Sequence, residues 1–182
     1  MRDFIETSID YIKNIPETGA ITQTSKYVEE VVIKHIDISK KQLIVEFGAG
    51  LGNITKKILS IMNVDSELYA FETNKDFCDK LNKIRDKRLF VINKSATELF
   101  DVCSECGQVD LIISTIPLTI IPNDEINKIL ESGNKTLKKN GFFIQVLYTG
   151  IYLNKFKKYF KNCKIKIIRN MPVVFLHTSQ KL

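Results

Sequence analysis

Between residues 45 and 55 the chain reads Val45-Glu46-Phe47-Gly48-Ala49-Gly50-Leu51-Gly52-Asn53-Ile54-Thr55. An apolar run leads into three glycines at alternate positions, and a helical pattern follows. Glycines spaced in this way permit a sharp turn and let a ligand approach the main chain without meeting a Cβ. A junction of this kind belongs at the carboxyl edge of a parallel sheet. A second signal supports it: Glu72 lies 20 residues after Gly52, at the end of the next apolar run. A carboxylate placed there accepts hydrogen bonds from two ribose hydroxyls. Together the two features describe a nucleoside-binding crevice.

Two details bear on which nucleoside. A dinucleotide fingerprint, G-x-G-x-x-G, requires glycine where this chain has Asn53. Glu46, two positions before the first glycine, repels a pyrophosphate and suits a cationic amino acid moiety. A glycine turn without a ligand is the structural alternative.

The chain has 182 residues, 44% hydrophobic and 26% charged, which fits one domain with a single core. Strands are expected at Leu43 to Phe47, Glu67 to Glu72, Arg88 to Asn93, Val109 to Ser114, Gly141 to Tyr148, Lys164 to Ile168 and Val173 to Thr178. Helices are expected over Asp3 to Lys13, Ser25 to His35, Asn53 to Met62, Lys75 to Ile84, Asn123 to Lys139 and Tyr152 to Lys161. The alternation predicts an α/β fold: a seven-stranded, mostly parallel sheet, a C-terminal antiparallel hairpin, and helices on both faces. Residues 1–182 read as a single domain in which 1–40 form a helical extension over the crevice. No apolar run approaches the roughly 20 residues of a membrane-spanning helix. The start, Met1-Arg2-Asp3-Phe4-Ile5-Glu6, does not read as a secretory signal, and four cysteines do not suggest a disulfide framework. A reduced, cytoplasmic protein is the expectation.

The pattern E-x-G-x-G-x-G followed by a ribose acid resembles the S-adenosylmethionine site of class I methyltransferases, a Rossmann-like fold. The resemblance implies S-adenosyl-L-methionine as cofactor and no metal. Glu46 and the main chain of Gly48, Gly50 and Gly52 would take the methionine end, and Glu72 the ribose. It carries further cofactor contacts onto Thr18, Gly19, Asn53, Thr55 and Thr73. Such enzymes often place an Asp-Ala pair after the third strand to read adenine; here the stretch is Asn93-Lys94-Ser95-Ala96. The Ser95 hydroxyl would then accept from the exocyclic amine and the Ala96 amide would meet a ring nitrogen. Ser114, ending the fourth strand, would border the transferred methyl group.

Displacement at a sulfonium methyl rests mainly on positioning the nucleophile. An alkylamine titrating near ~10.4 lies about three units from neutrality at pH 7, a cost of roughly 4 kcal/mol. Desolvation and a nearby acceptor supply that. His35 and His177 have no catalytic partner in the sequence and read as structural.

The N-terminal region and the glycine loop also resemble rRNA adenine dimethylases, which carry N/D-P-P-Y/F after the fourth strand. This chain has Ser114-Thr115-Ile116-Pro117-Leu118, without the amide and the aromatic that base recognition uses. A wider resemblance is to bacterial phospholipid N-methyltransferases. Thr18-Gly19-Ala20-Ile21-Thr22-Gln23-Thr24-Ser25 resembles their G-A-I/V-x-P-S/T-S segment, and Ser114 to Pro122 their S-x-I/L-P-L stretch with its later proline. Gln145-Val146-Leu147-Tyr148 resembles Q-F-T-Y, and Arg169-Asn170-Met171-Pro172 resembles R-N-x-P-P. Gln23 and Val173 depart from the family's prolines, and His177 from a frequent aromatic. The resemblance implies successive methylation of the amine of phosphatidylethanolamine and its mono- and dimethyl forms at a membrane surface, with Tyr148 and Ser114 as catalytic residues. The alternatives are an RNA adenine N6-methyltransferase and a non-catalytic basic binding module.

Charge is uneven along the chain. Residues 1–130 carry 16 basic and 20 acidic side chains, whereas 131–182 carry 11 basic ones and a single acid, Glu131. So basic a tail attracts a polyanion, either an anionic membrane or nucleic acid, or serves as a solvated surface. Within 151–169, Tyr152, Phe156, Tyr159 and Phe160 alternate with lysines, which suits a lipid headgroup zone, single-stranded RNA, or aromatic packing beneath a basic rim. The expected location is cytoplasmic, peripheral to the inner face of the membrane. Phe4, Ile5, Ile9 and Ile12 give the first helix one apolar side, for covering the cofactor or lying on a bilayer. Cys103-Ser104-Glu105-Cys106 has no second ligand pair and reads as incidental loop thiols.

Overall fold

The computed structural model describes residues 26–35, 37–104, 108–168 and 173–182. Helix α1 (Lys26–His35) precedes β1 (Leu43–Phe47), α2 (Asn53–Ile61), β2 (Glu67–Phe71), α3 (Lys75–Leu81) and β3 (Leu89–Ile92). There follow α4 (Leu99–Val102), β4 (Val109–Ser114), α5 (Asn123–Thr136) and β5 (Leu137–Leu147). The chain ends with α6 (Leu153–Phe156), β6 (Lys161–Ile168) and β7 (Val174–Gln180). The seven strands form one sheet in the order β3-β2-β1-β4-β5-β7-β6. Neighbours from β3 to β5 run parallel, while β7 is antiparallel to both β5 and β6. This is the mostly parallel Rossmann-like sheet with a closing hairpin that the alternation predicts. The strand order reverses between β1 and β4, where wound sheets open a crevice at their carboxyl ends.

Every residue of β1 and β4 is buried, as befits strands covered on both faces. Their period-2 alternation divides the core. Val45, Phe47 and Ile112 pack with Leu99 of α4 and Ile126, Ile129 and Leu130 of α5. Ile44, Leu111 and Ile113 pack with Val32 of α1 and Ile54 and Ile58 of α2. The two layers hold the ends of β1, β2 and β4 rigid under the glycine loop.

Several boundaries differ from the sequence expectation, among them the end of the expected helix Lys75 to Ile84 at Leu81, and two of the shifts have a clear cause in strand pairing. Helix α5 stops at Thr136, three residues before the expected Lys139, because Leu137 pairs with Val109 and starts β5. Helix α6 is a single turn, and the chain is already in strand β6 at Lys161, paired with Gln180. The expected helix Asp3 to Lys13, the rest of the extension up to residue 25, and the Arg169 to Pro172 segment lie outside the described residues. No helix among the described residues is long and apolar enough to cross a membrane.

Candidate functional site

The turn from β1 to α2 is left-handed at Gly48 (φ 72°), Gly50 (φ 54°) and Gly52 (φ 80°), a conformation strained for residues with a Cβ. A Cβ on Gly48 would also come within 3.2 Å of Ile116 Cγ1, so glycine lets this turn close on the loop after β4. Thr115 ties the same two loops, its hydroxyl donating to Gly48 O at 2.9 Å. A Cβ on Gly52 would stand 2.8 Å from Leu81 Cδ2. That glycine seats the start of α2 against α3 and lies outside the crevice wall, whereas the sequence places it at the methionine end.

Two carboxyl groups flank the turn. Glu72 is 9% exposed. Its Oε2 accepts from Gly50 N at 2.9 Å and its Oε1 from Asn74 N at 2.8 Å, which fixes the group while leaving lone pairs for a ligand. Glu46 is buried at the end of β1 and accepts from the Thr55 hydroxyl at 2.7 Å. Burial, with the charge of Glu72 adding to it, outweighs the Thr55 bond and lifts the Glu46 carboxyl to about 8. Thr55, expected at the cofactor, is fully buried and donates to Glu46.

These groups surround a crevice of about 320 Å³. Of the residues singled out in the sequence, Glu46, Gly48, Gly50 and Asn53 line it from the first turn, Glu72 and Thr73 from the end of β2, and Ser95 and Ala96 from the end of β3. Ser114 ends β4 but is fully buried, outside the wall, and its hydroxyl has no hydrogen-bond partner among the described residues. Tyr148 follows β5 and packs beside the α1 and α2 layer, also outside the crevice wall. Thr18 and Gly19 lie outside the described residues.

The opposite wall comes mostly from the stretch that resembles the S-x-I/L-P-L motif, whose lining side chains have no assigned role in the sequence reading. The loop after β4 supplies Thr115, Ile116, Pro117, Ile120 and Ile121, and α5 supplies Glu125 and Ile129. Gln145 of β5 supports this loop by donating to Ile116 O at 2.9 Å, and Tyr152 does so by donating to Leu118 O at 3.0 Å. The switch in strand order between β1 and β4 would have pointed to the loop; nothing local points to Glu125. His177 is 1% exposed against Phe156, and burial holds its imidazole below the usual value, so it is a neutral core residue. Cys103 is buried, Cys106 lies outside the described residues, and no group of potential metal ligands occurs among the described residues.

The site fits S-adenosylmethionine. Its volume is in the range of small-molecule sites, about 300–1,000 Å³. Glu72 presents a fixed acceptor for the ribose, and a buried Glu46 with no cation beside it among the described residues is the complement of an ammonium group.

The family model for ribosomal RNA adenine dimethylase matches residues 22–149. The chain is 28% identical over 153 residues to a ribosomal RNA small subunit methyltransferase A from Blochmanniella pennsylvanica; the match covers 83% of this chain and 57% of that protein. An ornithine lipid N-methyltransferase from Singulisphaera acidiphila is 22% identical over 178 residues, which cover 94% of this chain and 93% of the relative. Among solved structures, a precorrin-6y C5,15-methyltransferase from Geobacter metallireducens aligns with a TM-score of 0.70 at 16% identity, covering 90% of this chain and 93% of the other. That last likeness is one of fold.

Proposed function

Since this chain belongs to the ribosomal RNA adenine dimethylase family of class I S-adenosylmethionine-dependent methyltransferases, we propose that it methylates the amine of a membrane lipid. Phosphatidylethanolamine and its mono- and dimethyl forms are the first candidates. The observation that carries this reading is the composition of the wall after β4. Methylation of an extruded base calls for an aromatic platform and polar groups on the base edge. Here the wall offers the aliphatic side chains Ile116, Pro117, Ile120 and Ile121, with Ile120 65% exposed. Such a surface suits the hydrocarbon part of a lipid. The match to the ornithine lipid enzyme over nearly the whole of both chains supports the same reading.

When bound, the cofactor supplies a methyl group on a positively charged sulfur, which is electrophilic without further activation. The work of the chain is to bind, orient and exclude water. Glu72, fixed by Gly50 and Asn74, holds the ribose. Glu46 holds the ammonium end, and the open main chain of Gly48 and Gly50 lets the methionine portion approach. The acceptor amine must be neutral to attack, and the aliphatic wall favours the neutral form by desolvation. Of the lysines in residues 151–169, Lys155 donates to Asn123 at the start of α5, near the crevice, and offers a contact to an anionic membrane there.

The second reading, N6 methylation of an RNA adenine, is favoured by the family model and by the ribosomal RNA relative. Incubation with labelled methyl donor, ethanolamine- or ornithine-lipid vesicles, and ribosomal RNA separates the readings. Label in the lipid is expected. Label in RNA alone would reverse the assignment, and cofactor binding without transfer to either would make the chain a binding module.

A further inference from the structure

Adenine differs from the other common purines at position 6, where it carries an amine that only donates. A site that selects adenine needs an acceptor there. Ser95 stands where an aspartate is usual, yet its hydroxyl is engaged locally. Its Oγ accepts from Thr97 N at 3.2 Å and lies 3.0 Å from the Thr97 hydroxyl, capping the turn Ala96–Glu98. The nearby Glu98 accepts from Ser95 N at 3.1 Å and pairs with Lys94 Nζ at 3.5 Å. The Ser95 hydroxyl and the Glu98 carboxylate are therefore committed to that corner.

Glu125 is not. It lies in the first turn of α5, lines the same crevice, is half-buried, and makes no hydrogen bond or ion pair among the described residues. Ile129, one turn further on the same face, also lines the crevice and belongs with Ala96 to one packed cluster. The α5 face bearing Glu125 and Ile129 thus covers the Ser95–Ala96 corner. An acid in a first turn is commonly explained by the helix dipole, but Asp124 meets that need from an exposed position.

We propose that Glu125 is the acceptor for the exocyclic amine of the cofactor's adenine, doing from α5 what an aspartate after β3 does elsewhere. The inference rests on the cofactor assignment above. A carboxylate at that point attracts an amine and repels the carbonyl oxygen of hypoxanthine.

Calorimetric titration of the full chain with S-adenosylhomocysteine and S-inosylhomocysteine tests this. The wild type is expected to prefer the adenosyl form by roughly tenfold or more, the size of a hydrogen bond to a charged group. Glu125→Ala should weaken adenosyl binding about tenfold and leave inosyl binding unchanged or tighter. Glu125→Gln, nearly isosteric and able to donate, should move the preference towards the inosyl form. Retention of the wild-type preference in both variants overturns the proposal. So does unchanged cofactor binding with a raised KM for the acceptor, which would place Glu125 in the acceptor site. A wild type that binds neither nucleoside removes the cofactor assignment and this inference together.

Discussion

Glu46 shows how one buried side chain links the site to stability. Its carboxyl, ordinarily near 4.5, is raised to about 8, so the folded protein keeps a proton there that the unfolded chain gives up between those values. The contribution of this group to stability therefore falls as pH rises from about 4.5 to 8, and it is constant below that window. Glu46→Gln should remove the decline. Melting curves from pH 5 to 8 are expected to show the variant gaining on the wild type towards pH 8, while parallel curves would show that Glu46 ionises freely. A cationic methionine end restores the carboxylate, so cofactor binding near pH 6.5 should release a proton and give an enthalpy that depends on the buffer. Glu72 acts differently, through bonds already formed to Gly50 and Asn74. Glu72→Ala should weaken cofactor binding by about 1–3 kcal/mol, and an unaltered Kd would refute its ribose role.

At the scale of the element, α2 matters because it carries the glycine turn at its start and needs an anchor at its end. Arg88, just before β3, provides it. Its Nη2 donates to Leu59 O at 2.7 Å and its Nη1 to Met62 O at 3.1 Å, covering carbonyls at the helix terminus. Asp86 orients the guanidinium through bonds of 2.9 and 2.6 Å, and Arg88 pulls that carboxyl down to about 2. The depressed value means that this stabilisation is present above about pH 3.8 and is lost as pH falls through 2. Arg88→Ala should lower unfolding free energy by about 1–3 kcal/mol in urea titrations at pH 7, and the difference should shrink towards pH 2. The element pattern itself was legible in the sequence where an apolar run was nearly unbroken, as in β1 and β4. It misled where a helical pattern and a strand shared residues. Leu137 to Lys139 continue the amphipathic pattern of α5, but pairing with β4 takes them into β5.

For the whole molecule, the basic C-terminal third is the feature that composition alone leaves open. Phe156 and Phe160 are 0% and 3% exposed and pack on Phe143, so these rings belong to the core. The lysines stay outside. Lys164 and Lys166 project from β6, the last strand of the sheet, and share an open depression with Lys40 and Lys41. Positive charge on an edge strand discourages pairing with another chain, and it also attracts an anionic bilayer. The depression adjoins Phe142 and Gln180, at the opposite ends of the strands from the crevice. Lys164→Glu with Lys166→Glu should therefore leave cofactor affinity unchanged. On anionic vesicles the pair should weaken co-sedimentation by about 1 kcal/mol per lysine, less at high salt. Undiminished co-sedimentation would assign these lysines to edge protection alone.

Local patterns in the chain specify the sheet class, the glycine turn and the two acids beside it. Those signals are local: left-handed backbone demands glycine, strands alternate every second residue, and an acid that ends β2 reaches the crevice wherever the helices settle. Long-range packing settles which groups line the crevice. Ser114 is sealed beneath the loop that follows it, Gly52 turns towards Leu81, and Glu125 arrives in the crevice because α5 packs across the corner at Ala96. Helix placement of that kind is set by contacts between residues distant in the chain, and no spacing within a single segment encodes it.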